Sequence, residues 1–288
     1  MDDSSDIARL PVNSEQHRFN SWEVKYTKSH ILSSQCTKNG SCKPGMTGDD
    51  EICLFCMYTH KLDLPHLPDM VFPCNVLKLT HDSGCKIEFN ALESLAKVSN
   101  GKMVVKIASS DSWKEARAES GHTESIVKPF DWTFSTDYQG TLKGDWRVEP
   151  TNLRIDMNKL RQKEKILFYN DLTLFEDELH DNGTALLSVK IRVMPSSFFI
   201  LLRYFLRVDN VLIKINDTRL YHEFENNYII REYTSRESKV DELKVSPTLF
   251  LDPNEICRFL PLTKELNHKL TLPADEVVEK VTEPTVDS

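Results

Sequence analysis

Apolar and polar residues alternate along much of this chain with the two-residue period of β-strands, while helices announce themselves at a few capped starts. Trp132, Phe134 and Tyr138 fall on one side of such a repeat, with Asp131, Thr133, Ser135 and Asp137 on the other, which predicts a strand with one wet face ahead of a QGT turn. Phe175, Asp177 and Leu179 alternate with Glu176, Glu178 and His180 up to Asp181-Asn182-Gly183, after which LLSVKIRVM resumes with β-branched residues. That is the pattern of a hairpin, because Asn and Gly tolerate positive φ in a turn. Asn90 with Glu93 three residues on, and Asp252-Pro253 with Glu255, have the chemistry of helix starts. Asp156 is a third candidate cap, ahead of Met157, Leu160, Leu167 and Phe168 at helical spacing.

The stretch SSFFILLRYFLRVDN satisfies two readings: Ser196 caps a helix running to Arg207, or Asp209-Asn210 turns one strand into the next. Val211 to Tyr221 reads as a strand. No internal repeat is visible, so the mixture predicts an α+β fold, mainly antiparallel sheets flanked by helices. Residues 20–272 are expected to form a single domain, with a flexible N-terminus at 1–19 and a disordered acidic tail at 273–288. Residues 33–60, rich in Ser, Gly, Lys and Asp at their start, read as an inserted cysteine-containing loop.

Composition narrows the partners. With 36 basic and 44 acidic residues and a formal net charge of -8, the chain has the wrong sign for binding nucleic acid through phosphate. No run of about 18 apolar residues is present to span a bilayer. The polar, acidic opening lacks the form of a secretory signal, which places the chain in the cytosol with the nucleus also open to it. In that compartment seven cysteines are reduced thiols or metal ligands. The sequons at Asn39, Asn182 and Asn216 then carry no glycan.

The common nucleotide-binding and hydrolase signatures are missing, which argues for a non-enzymatic protein. Three clusters remain. Cys36, Cys42, Cys53 and Cys56, with His60, offer a zinc set anchored by one C-x-x-C pair, although reduced thiols without metal are the stronger reading and no cofactor is expected. Glu176, Asp177, Glu178, His180 and Asp181 have the residue types of a metal-dependent hydrolase site, while a solvated strand near a turn explains them more simply. Arg203, Arg207, Arg219, Arg231 and Arg236 are suited to an acidic peptide or a terminal carboxylate, or to internal pairs with Asp209, Asp217, Glu223 or Glu232.

The stretches KPFDWTFSTDYQGTL (128–142), LFEDELHDNG (174–183), SVKIRVMPSSFFILLRYFLRVD (188–209), VLIKINDTRLYHE (211–223), REYTSRESK (231–239) and DPNEICRFLP (252–261) closely resemble the TIPRL family of TOR-signalling-pathway regulators. The similarity extends over roughly residues 20–262 and spares the cysteine loop. It implies a non-enzymatic protein that binds catalytic subunits of type-2A-class protein phosphatases, including the type-4 and type-6 relatives, and restrains them; the chain itself is expected to be a monomer. By the same resemblance the contacts fall at Glu93, Ile155, Ile215, Asp217 and Arg219. Glu93 stands where family members carry aspartate, and Ile215 where they more often carry methionine. Read from residue type alone, Glu93 is a helix-start residue and the two isoleucines are core. A zinc-stapled adaptor built on residues 36–60 is a further reading of the chain.

Overall fold

A computed structural model describes residues 13–43, 52–64, 66–98 and 133–273. Two antiparallel sheets dominate it. Strands β1 (Asn13–Phe19), β2 (Trp22–Lys28), β4 (Val76–His81), β5 (Lys86–Asn90) and β6 (Thr141–Lys143) form a five-stranded sheet in that spatial order. The second sheet has eight strands in the order β3 (Met70–Val71), β8 (Phe168–Asp177), β9 (Gly183–Val193), β10 (Ser197–Val208), β11 (Leu212–Glu223), β12 (Tyr228–Lys239), β13 (Leu262–Thr271) and β7 (Arg147–Pro150). Among the described residues four short α-helices join them: α1 (Leu54–Lys61), α2 (Ala91–Leu95), α3 (Met157–Arg161) and α4 (Pro253–Ile256). The fold is therefore α+β with the sheets predominant, as the period-two patterning predicts.

The sheets share one core. Trp22, Leu77, Leu79, Ile87 and Phe89 from the smaller sheet meet Leu187, Val189, Ile191, Phe198, Leu202 and Tyr204 from the larger one, all buried. Trp22 stands edge-on to Phe198, and its indole N–H donates to His222 Nε2 at 3.0 Å, tying the two layers together with a satisfied polar contact. His222 Nδ1 in turn lies 2.9 Å from the Tyr228 carbonyl, so the ring donates from Nδ1 and accepts at Nε2.

The three helix caps behave as the sequence predicts. Asn90 Oδ1 accepts from the Glu93 N–H at 2.9 Å, and Asp156 and Asp252 each accept two backbone N–H groups in the first turn of α3 and α4. Helix α3 stops at Arg161, however, and Phe168 opens β8, so Met157, Leu160, Leu167 and Phe168 do not share one helical face. The ambiguous Ser196–Arg207 stretch is a strand. It hid its period because both of its faces are covered: Phe198, Ile200, Leu202 and Tyr204 face the main core, while Phe199 and Phe205 pack into smaller clusters on the reverse side.

Other expectations need correction. Residues 133–138 form no strand beyond one bridge between Thr136 and Val98; Phe134 takes a left-handed backbone (φ 52°), and Thr133 and Thr136 are buried alongside Phe134 and Tyr138. Asp131 and Trp132 lie outside the described residues, as do 1–12 and 274–288. Ordered structure begins before residue 20, since β1 pairs with β2 along its whole length. The β8–β9 hairpin is present, but its left-handed residues are Leu179, His180 and Asp181, with φ of 50°, 57° and 64°. Gly183 closes the turn at φ 152°, where an added Cβ would meet the Arg207 carbonyl oxygen.

Candidate functional site

The candidate site grows from the alternation of β11. Its odd-numbered residues point away from the main core. Ile213 and Ile215 are buried beneath Ile256 and Leu260 of the α4 segment, and Tyr221 is buried with Ile155 and Ile230 at the other end. Asp217 and Arg219 lie between these two covered ends. Strand register adds the rest, because Arg203 of β10 stands directly opposite Asp217, and Arg236 of β12 directly opposite Ile215.

The result is an arginine-lined groove of about 270 Å³, bordered by Arg203, Arg219, Arg236, Asn254, Cys257 and Arg258. At its floor Arg203 grips Asp217 with two parallel bonds of 2.7 Å, Nε to one oxygen and Nη2 to the other. Arg219 Nη2 donates to the same carboxylate at 3.2 Å. The Asp217 side chain is only 1% exposed, against 30% for Arg219. Burial by itself pulls the Arg203 pKa down, but the Asp217 carboxylate outweighs it and raises it, so the guanidinium stays charged. Arg203 Nη1 also donates to Asn254 Oδ1 at 2.8 Å, and Arg236 Nη1 to the Leu260 carbonyl at 2.8 Å, which fastens the α4 wall to the sheet. Glu232, facing Arg219 across the strands, accepts the Ile155 N–H at 2.8 Å and ties the Ile155 segment to β12.

With Asp217 paired to Arg203 and Arg219, and Glu255 standing 3.2 Å from Arg258, two carboxylates meet four guanidiniums, so the groove is a positive depression on an acidic protein. Such a depression suits a carboxylate-bearing segment.

Four of the five expected contact residues are thus gathered on this face, though not with equal access. Arg219 is the one that reaches solvent. Ile215 and Asp217, both 1% exposed, underlie the groove, and Ile155, 4% exposed, packs with Tyr221 and Ile230 at the far end of β11. Glu93 is not part of it. Helix α2 lies on the core side, where Thr136 Oγ1 bonds the Ser94 carbonyl and the Asn216 side chain, on the even face of β11, bonds the Thr136 carbonyl. Two expected arginines also fall elsewhere: Arg207 pairs with Asp209, and Arg231 lies beside Leu220 and near His268. Asn254, Cys257 and Arg258 were missed, although Arg258 stands in the DPNEICRFLP stretch and could have been read from its place in the first turns after the Asp252 cap.

The acidic cluster proves to be turn architecture. Asp177 is buried and accepts the N–H groups of Asp69 (3.0 Å) and Leu179 (2.8 Å), while Asp69 accepts from the Glu178 N–H. Burial, with the Asp69 carboxylate, pushes the Asp177 acid up to about 7. His180, assigned by alternation to the wet side, is buried. Glu176, Glu178 and Asp181 join no metal-sized group, for among the described residues the one set of three or more such ligands is Cys36, Cys42, Cys53 and Cys56. Their ligand atoms all lie within 4.8 Å of one another. His60 is exposed and outside that set, and no disulfide joins any of the seven cysteines. Burial alone would raise Cys53, but N–H groups of Cys56 and Thr37 outweigh it and bring it down to about 6; burial and the neighbouring thiols push Cys56 up to about 12.

The family model described as "TIP41-like family" matches residues 70–244, more than half of the chain and all of β10, β11 and β12. The chain belongs to the TIP41-like family. It is 46% identical to the TIP41-like protein of Homo sapiens over 259 residues, covering 88% of this chain and 89% of that protein. Against the TIP41-like protein of Mus musculus the identity is 45% over 274 residues, covering 94% and 93%. The protein named type 2A phosphatase activator TIP41 in Saccharomyces cerevisiae is 34% identical over 255 residues, covering 82% of this chain and 67% of its own length. The resemblance read from the sequence motifs is borne out. The groove lies within or just beyond the matched segment, whereas all four clustered cysteines precede it.

Proposed function

We propose that this TIP41-like protein is a non-enzymatic regulator that binds the catalytic subunit of a type-2A-class protein phosphatase, including the type-4 and type-6 relatives, and holds it in a low-activity form. It works as a cytosolic monomer in TOR-linked signalling. The observation that carries this reading is the arginine groove, a preformed positive depression between strands β10–β12 and the α4 segment on a chain of net charge -8. Family membership supports the phosphatase as partner, as does the phosphatase in the name of the Saccharomyces cerevisiae relative. Arg219 makes the direct contact, to an acidic or carboxylate-terminated segment of the partner, Asp217 and Ile215 underlie the groove, and Ile155 packs at the far end of β11. Glu93, exposed on α2, is a separate contact that only a partner extending around the sandwich would use.

The test is capture of purified type-2A catalytic subunit by wild-type protein and by Arg219→Glu. Charge reversal at a groove contact is expected to weaken binding by at least about tenfold, with a reduced salt dependence. Unchanged binding would remove the groove from the interface. Turnover of a phosphopeptide by the captured subunit is expected to fall as the regulator is added; a rise would reverse the direction of regulation while leaving the partner intact.

A further inference from the structure

We propose that Cys36, Cys42, Cys53 and Cys56 form a closed tetrathiolate zinc site that staples the segment around residues 36–42 to the start of helix α1. The geometry is that of a shared centre. Cys36 Sγ lies 3.8 Å from Cys42 Sγ and 3.8 Å from Cys53 Sγ. Four thiolates held about 2.3 Å from a zinc ion at tetrahedral angles are separated by about 3.8 Å, the edge of that tetrahedron. A disulfide requires about 2.0 Å, and a sulfur with two neighbours at equal distance has no preferred pairing partner.

Local structure delivers the ligands in two pairs. Cys53 is the N-cap of α1 and Cys56 lies in its first turn, so the x-x spacing puts both sulfurs at the positive end of the helix, which favours thiolates. Cys36 and Cys42 flank a tight turn in which Asn39 (φ 48°) and Gly40 (φ 76°) are both left-handed and the Ser41 N–H returns to the Lys38 carbonyl at 3.0 Å. The Cys53 N–H donates to Cys42 Sγ at 3.3 Å, the kind of N–H to sulfur contact that orients a metal-bound thiolate from behind. Ile52, Phe55 and Met57 wrap the sulfurs in apolar surface, forming a small cluster that Met57 joins to the main core.

With all four positions filled by protein, no site is left for substrate or water, and the role is structural. Leu32 is held by its N–H bond to the Val71 carbonyl at 2.7 Å, but residues 33–43 carry no helix or strand, so cross-linking to α1, whose Tyr58 is anchored in the main core, is what fixes the stretch beyond Leu32. On binding, each thiol releases its proton to solvent.

The experiment uses the full chain, expressed with zinc in the medium and kept reduced. Elemental analysis is expected to find one zinc per chain, dropping to a small fraction in Cys36→Ser and in Cys42→Ser and unchanged in Cys74→Ser, which lies outside the cluster. Cobalt(II) titration of metal-free wild-type protein keeps the test independent of whether the variants fold, and is expected to yield the intense visible absorption of tetrahedral cobalt bound by thiolates. The proposal is overturned by folded protein that takes up no zinc on reconstitution, by zinc that survives both serine substitutions, or by iron in place of zinc.

Discussion

The arginine groove and the cysteine segment both bring polar side chains into close contact, but they do so with different support. In the groove, Arg203, Asp217 and Arg219 stand on neighbouring strands paired over 12 residues, so ladder hydrogen bonds set the spacing before any side chain interacts. In the cysteine segment the order is reversed: four sulfurs converge from a turn and a helix end with no ladder between them. Polar groups on a sheet can therefore carry excess charge and await a partner, whereas those on a loop must themselves supply the cross-link that holds the loop.

That contrast can be broken most sharply at Asp217. Replacing it with alanine leaves Arg203, whose side chain is 11% exposed, without its buried counter-charge, and an unfolding free-energy loss of about 3–5 kcal/mol is expected by urea denaturation. Loss of a few tenths only would show that the groove's charges are solvated and its floor is not load-sharing with the sheet. Next comes pH. Burial lowers His222 from its usual 6.5 to about 4. Because the folded pKa is the lower one, its contribution is complete above about pH 6.5 and is lost as pH falls through the folded value, a total of about 3 kcal/mol at 1.36 kcal/mol per unit. Thermal unfolding followed from neutral to acidic pH is expected to show this sheet-to-sheet link weakening, and His222→Gln to flatten that part of the profile.

A smaller effect is expected at the groove wall. Asp252→Ala removes the cap of α4, with bonds of 2.8 Å and 3.4 Å to the Asn254 and Glu255 N–H groups, and should cost about 1 kcal/mol while loosening Asn254 beside Arg203. The accompanying drop in phosphatase capture measures how far the wall preorganises the groove. The least global effect is expected from a metal chelator. Limited proteolysis around Cys36–Cys42 should quicken while the main unfolding transition stays in place, since local opening need not involve the sheets. A large shift of that transition would instead make the cysteine segment part of the same cooperative unit as the groove.

What was legible in the sequence followed the range of the interactions involved. Asn90, Asp156 and Asp252 cap helices as expected because capping is settled within three residues. Strand β9 showed its alternation, since Leu187, Val189 and Ile191 face the core while Ser188, Lys190 and Arg192 are half-exposed. Strand β10 did not, because Phe199 and Phe205 are covered by segments distant in sequence. Phe134 misled for the opposite reason: the residues around it alternate like a strand, yet among the described residues 133–138 pair only through one bridge, and the Phe134 and Tyr138 rings reach the core from irregular backbone.

The sequence by itself determined an acidic, sheet-rich chain of the TIP41-like family, with its helix starts, its main hairpin, three of the four groove arginines and the four clustered cysteines. Local hydrogen bonding and the period of side-chain direction are properties of short stretches, which is why they could be read there. Only the tertiary structure decided which members meet. Strand register set Arg203 against Asp217 and Arg236 beside Ile215 and sent Arg231 elsewhere, while the return of the chain between elements kept Glu93 away, brought Arg258 in from just past α4, and folded Cys36 and Cys42 onto Cys53 and Cys56. Register and chain return are fixed by burial summed over both sheets, a balance that no single stretch of residues contains.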